Sequence, residues 1–129
     1  MEYVTGVWTS YDAEADVLYV NFRQPSEADD AELGDDNVIR RYAADGELIG
    51  VTVLNASTRT ASSYYDRETD SLYIELTPEP GVDTVEVADG VVADLDEQGK
   101  AVGIDIDRAS ERLDRAILEM FDSWAERRA

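Results

Sequence analysis

A mostly β, α+β fold is what this sequence predicts: two tandem antiparallel β-meander repeats, packed as a pseudo-two-fold pair, with a C-terminal amphipathic helix. Three observations predict it. The run Tyr11-Asp12-Ala13-Glu14-Ala15-Asp16-Val17-Leu18-Tyr19-Val20 returns 54 residues later as Tyr65-Asp66-Arg67-Glu68-Thr69-Asp70-Ser71-Leu72-Tyr73-Ile74. The end of each copy alternates apolar and polar residues with period two. A Gly-centred turn separates two apolar runs in each half. The match continues through Glu32 and Glu86. One residue then drops out, and Val38, Gly46, Gly50, Ala56 and Ser57 return as Val91, Gly99, Gly103, Ala109 and Ser110 at an offset of 53. The chain therefore divides into a first β repeat (1–57), a linker with the strand that leads into the next copy (58–64), a second β repeat (65–110) and a C-terminal helix (111–129), all in one compact domain.

Each copy opens on a short strand ending at Tyr11 or Tyr65. The polar links Asp12–Asp16 and Asp66–Asp70 are rich in Asx-turn formers and predict tight hairpins. The strands that follow put Leu18, Val20 and Phe22 on one face, and Leu72, Ile74 and Leu76 in the second copy; Tyr19 and Tyr73 fall on the opposite face. Gln24–Asp35 is acidic and reads as a loop. In the second copy Thr77–Asp83, with Pro78, Pro80 and Gly81, leads to a strand at Thr84–Val87. The clearest hairpins pair Val38–Tyr42 with Leu48–Leu54 and Val91–Leu95 with Ala101–Ile106. Gly46 and Gly99 supply the positive φ that such turns need. Strict alternation sends Ile49, Val51 and Val53 inward, and Val102, Ile104 and Ile106 likewise. Only the second copy runs into a helix. Ser110 reads as its N-cap, and Leu113, Ala116, Ile117, Met120, Phe121 and Trp124 form one apolar stripe.

Composition sets outer bounds. A chain of 129 residues buries about two-thirds of its unfolded surface, enough for a core without staples. There is no Cys, hence no disulfide and no thiolate chemistry, which suits a reducing cytoplasm. The N-terminus MEYVTGVWTS has no apolar core of a secretory leader, and no run approaches a membrane span, so a cytoplasmic location is expected. The net charge is −19, and Lys100 is the only lysine. Adaptation to high salt explains such a surface, because molar salt screens carboxylate repulsion within about 3 Å. A high-GC genome explains the preference for Arg. An acidic surface that binds a basic partner or imitates nucleic acid is the functional alternative. Direct binding to nucleic acid is not expected, since Arg40-Arg41 and Arg127-Arg128 are too few for a phosphate footprint.

The string Tyr-Asp-x-Glu-x-Asp-x-Leu-Tyr-[Val/Ile], a Gly-centred hairpin and then Gly-[Val/Ile]-x-[Val/Ile]-x-x-Ala-Ser resembles the prokaryotic domain-of-unknown-function family 2283. The resemblance covers residues 11–57 and 65–110, as two fused copies. The second is the closer, with Asp89-Gly90-Val91-Val92-Ala93-Asp94-Leu95-Asp96, Gly99-Lys100-Ala101-Val102-Gly103-Ile104 and Ala109-Ser110-Glu111-Arg112-Leu113. The first departs at Arg40-Arg41, where the family more usually carries an acidic residue, and in its longer acidic loop. The resemblance implies no catalytic residues. Some members are paired with a small toxin-like protein, which implies an antitoxin-like role for those members.

Chemistry-bearing residues are few. His and Cys are both absent, which removes the usual base near neutral pH and the common zinc ligands. No nucleophile elbow or phosphate loop occurs, so no catalytic residue, metal or cofactor is assigned. Weak metal candidates are Asp12, Glu14 and Asp16 with Asp66, Glu68 and Asp70, whose spacing suits oxygen coordination of Ca²⁺ or Mg²⁺. The competing expectation is a turn whose Asp side chains accept backbone N–H groups. The same holds for Asp94-x-Asp96-x-x-Gly99. Tyr11, Tyr19, Tyr65 and Tyr73 are candidates to line a pocket at the seam between copies. The leading expectation is a non-enzymatic, salt-adapted protein-interaction module, antitoxin-like, whose partner is another protein, a basic one by charge, or a second copy of this chain. The alternatives are a small-molecule or divalent-cation-binding protein with its site at the inter-repeat seam, and an acidic nucleic-acid mimic.

Overall fold

A computed structural model of the chain describes residues 8–23, 30–59, 63–113, 117–119 and 121. The first repeat contributes β1 (Trp8–Asp12), β2 (Val17–Asn21), β3 (Asp30–Leu33), β4 (Val38–Tyr42) and β5 (Leu48–Leu54). The second contributes β6 (Tyr64–Asp66), β7 (Ser71–Glu75), β8 (Asp83–Ala88), β9 (Val91–Leu95) and β10 (Ala101–Ile106), followed by the single turn α1 (Ala109–Arg112). Each repeat is one antiparallel five-stranded sheet, in the order β1-β2-β5-β4-β3 and β6-β7-β10-β9-β8. A hairpin and a three-stranded meander thus join so that the meander's last strand lies beside the hairpin. That makes β5 and β10 the central strands, and they are the most buried.

The two sheets are equivalent in detail. Positive φ occurs at Asp16 and Asp70, at Asn55 and Arg108, at Asn37 and Gly90, and at Gly46 and Gly99. Their inner faces share one core. Leu18, Val20, Val38, Val51 and Val53 meet Leu72, Ile74, Val91, Ile104 and Ile106, all at 3% exposure or less. Full burial of such side chains is worth about 1.5–3 kcal/mol each. Neither half can hide its inner face alone, so duplication supplies the second layer.

The structure changes several expectations. Ile49 and Val102 are buried but stand outside the shared core, and Leu48 and Ala101 join it instead. The register slips between Arg41 and Tyr42 opposite Gly50 and Leu48, and between Ala101 and Gly103 opposite Leu95 and Asp94. Ile49 and Val102 are the extra residues of matching β-bulges, and a bulge reverses the alternation on one side of it. Part of the expected loop Gln24–Asp35 is β3, an exposed edge strand; residues 24–29 lie outside the described residues. The ladders set Leu33 opposite Ile39 and Glu86 opposite Val92. Leu33, not Glu32, is therefore the counterpart of Glu86, and the residue that drops out does so before the third strand.

The ends of the two repeats also differ less than the sequence suggests. Ala56–Arg59 forms a 3₁₀ turn where the second copy has α1. The cap position of α1 is Arg108, at φ 51° and with no side-chain cap. Ser110 is not the N-cap: it lies within the turn, and its hydroxyl donates to Asp70. Leu113 is extended and ends the turn. Helical backbone returns at 117–119 and 121. Leu113, Ile117, Leu118 and Phe121 all enter the core, so these four residues pack over the sheets. The stripe's members Ala116, Met120 and Trp124 lie outside the described residues. Among the described residues, no helix is long and apolar enough to cross a membrane.

Candidate functional site

The turn carboxylates are occupied by the chain itself. Asp12 Oδ1 accepts the N–H groups of Glu14 and Ala15, both at 3.1 Å. Asp66 Oδ1 accepts those of Glu68 and Thr69 at 2.9 and 3.4 Å. Asp16 accepts the Tyr11 hydroxyl at 2.6 Å, the Ser57 N–H at 3.0 Å and the Ser57 hydroxyl at 2.7 Å. Asp70 repeats the pattern with Tyr65 at 2.5 Å and with Ser110 at 3.0 and 2.6 Å. Burial pushes the Asp16 carboxyl up, but the bonds from Ser57 and Tyr11 outweigh it and hold it below the usual range. Ser110 and Tyr65 do the same for Asp70. Asp96 Oδ1 likewise accepts the N–H groups of Gln98 and Lys100, both at 2.9 Å, and closes a hairpin. The carboxylates of Glu14 and Glu68 are exposed. Among the described residues, no cluster of three or more acidic side chains is placed to hold a metal ion.

This arrangement explains what is repeated. Each Tyr–Asp–Ser set ties the first hairpin of its sheet to the helical turn after the last strand, across 41 or 40 residues. Asp16 and Asp70 adopt positive φ, which Asp tolerates better than most residues. The repeated motif is a fold staple.

The candidate tyrosines do not converge on a seam. Tyr11 pairs with Leu18 and Tyr65 with Leu72 across their ladders, so both face inward and pack against the core. Tyr19 pairs with Ser10, and Tyr73 with Tyr64; these stand on the outer faces of separate sheets. Period two separates them, since neighbouring register positions project to opposite sides.

Arg40, 3% exposed, is a polar side chain that does bridge the two sheets. Its Nε and Nη2 donate to the Ala101 carbonyl at 3.0 and 2.6 Å, beside the bulge of β10. Nη1 and Nη2 donate to Asp36 at 3.3 and 2.8 Å. A Cβ on Gly34 would fall 2.6 Å from Asp36 Oδ1, so glycine makes room for this pair. Burial raises the Asp36 carboxyl, but Arg40's hydrogen bonds and charge outweigh it and hold it low. The equivalent of Arg40 in the second repeat is Ala93.

The outer faces are where the repeats diverge. Register equivalence sets Ser10, Val17, Asn21, Leu33, Arg41 and Thr52 of the first sheet against Tyr64, Ser71, Glu75, Glu86, Asp94 and Asp105 of the second. Apolar, neutral or basic residues become acidic at Glu75, Glu86, Asp94 and Asp105, and Asp66 adds to them. None of the side chains that the second sheet's strands direct outward is a cation. Within this face lies an open depression of about 460 Å³, lined by Tyr64, Asp66, Thr69, Ser71, Tyr73 and Asp105. Tyr73 lies across Gly103: a Cβ there would be 2.2 Å from its hydroxyl. Burial and the nearby Asp94, Glu75 and Asp105 push the Tyr73 hydroxyl up. Burial, Asp94 and Asp107 push the Asp105 carboxyl up. The face thus gathers acidic side chains around two rings. Comparing the copies at positions where they differ, rather than where they agree, is the sequence signal that points to it.

A family model, described as a protein of unknown function (DUF2283), matches residues 8–57 and again residues 63–110. No curated protein and no solved structure matches the chain.

Proposed function

Because the chain belongs to the DUF2283 family through both of its halves, we propose that it is a non-enzymatic protein-interaction module in which fusion has freed one sheet to specialise. The paired repeats form the scaffold, and the outer face of the second sheet docks a basic segment of a protein partner. Fusion makes the pairing intramolecular, independent of concentration. The observation that carries the reading is the one-sided change from neutral or basic to acidic residues on that face, where the strands of the second sheet direct no Lys or Arg outward. A basic partner would be steered in by this field, in a salt-dependent way. The net charge of −19 fits a salt-adapted surface elsewhere on the molecule. An antitoxin-like role is the form of this reading that the family resemblance suggests.

The test places a photo-crosslinking residue at Val92, on the acidic face, or at its counterpart Ile39 on the other sheet. A protein with clustered Arg or Lys captured through Val92 and not Ile39 is the expected result. Equal capture from both faces, or a captured segment that is not basic, overturns the reading.

A further inference from the structure

We propose that the depression between Tyr64 and Tyr73 receives an arginine side chain of the partner; this rests on the docking reading above and names the group it recognises. The two tyrosines are direct cross-strand partners, so they stand on one face with Cβ atoms about 5 Å apart. Asp66 and Asp105 flank them in a depression of about 460 Å³, ample for a guanidinium and the stem that carries it. Carboxylates alone attract any cation. The rings narrow the choice, because a guanidinium is planar, weakly hydrated and stacks on an aromatic face while its edge meets a carboxylate in two parallel bonds. An ammonium is a strongly hydrated point charge and gains less from the same walls. Gly103 fixes Tyr73 in place, since its missing Cβ is the space the phenol fills. A wall already in position lowers the ordering cost of binding. The first sheet offers the internal comparison: at equivalent places it carries Ser10, Tyr19 and Thr52, one ring with no carboxylate beyond Asp12.

The experiment titrates the full chain with acetylated tri-arginine amide and with tri-lysine amide, matched in charge, at one moderate ionic strength. Calorimetry gives affinity, and tyrosine ring NMR signals locate the contact. The arginine peptide is expected to bind about fivefold tighter or more, with Tyr64 and Tyr73 signals moving. Tyr73→Leu, which keeps an apolar side chain on the strand, and Asp105→Asn, which keeps the shape, should each abolish that preference; Tyr19→Leu should leave it unchanged. Equal affinity for both peptides, or an arginine preference that survives Tyr73→Leu and Asp105→Asn, overturns the pocket while leaving the docking face intact. Failure of both peptides to bind overturns the pocket and the docking face together.

Discussion

Replacing Arg40 by Ala should weaken the molecule more than any single surface change, and the reason is geometric. Arg40 and Asp36 are 3% and 7% exposed. Arg40 also supplies two hydrogen bonds to the Ala101 carbonyl of the other repeat. Truncation takes the Arg40 cation from a buried carboxylate, which keeps the Val38 N–H, and takes two donors from the Ala101 carbonyl. Breaking a buried pair from one side costs about 3–5 kcal/mol, a large part of the 5–15 kcal/mol that holds a typical domain together. At the entropy of unfolding of a chain this size, that loss lowers Tm by roughly 10–20 °C. Urea unfolding followed by circular dichroism at pH 7 and fixed salt measures it. Asp36→Ala should cost a similar amount, while Arg40→Ala/Asp36→Ala together should cost much less than the sum, because the second truncation removes the stranded charge. The pH dependence has a definite sign. Asp36 is held below its unfolded value, so its contribution is present above pH ~3.9 and is lost as pH falls through the folded value. A loss under about 1 kcal/mol for Arg40→Ala, or strict additivity of the pair, would refute the reasoning.

Other perturbations separate scaffold from face. Asp70→Asn keeps a residue that tolerates positive φ but weakens the bonds to Tyr65 and Ser110; about 1 kcal/mol should be lost, and Asp16→Asn should behave alike in the first repeat. Gly103→Ala drives a methyl into the Tyr73 hydroxyl and should cost about 1–3 kcal/mol, with displaced Tyr73 ring signals in NMR spectra. Asp105→Thr, which installs the first repeat's residue, should stabilise the fold at pH 7 by about half a kcal/mol or less while weakening basic-peptide binding in calorimetry. The sign follows from the raised Asp105 carboxyl: its stabilising protonated form is lost as pH rises through the folded value. Raising salt should increase the thermal midpoint, because the net charge of −19 repels itself less when screened.

Much of the candidate site was hidden for a physical reason. Repeated identities such as Tyr65 and Asp70 have the look of chemistry, yet with Ser110 they staple a hairpin to a turn. The acidic face has the opposite signature: Glu75, Glu86, Asp94 and Asp105 are positions where the copies disagree. Pairing those positions correctly needs the ladder register, since Glu86 aligns with Glu32 by identity but with Leu33 by hydrogen bonding. The bulges at Ile49 and Val102 were equally silent, because an apolar residue at either parity reads the same in a strand buried on both sides.

The sequence by itself determined the duplication, the strands of both central hairpins and the inward set led by Leu18, Val20, Leu72 and Ile74, because these follow from local alternation and turn chemistry. Only the tertiary structure decided that the hairpin inserts beside β5 and β10, that Arg40 reaches across to Ala101, and that Asp105 stands beside Tyr73 on an acidic outer surface. Those contacts join residues distant along the chain, and their geometry is set by register and by the packing of one sheet on the other, neither of which any short stretch of sequence encodes.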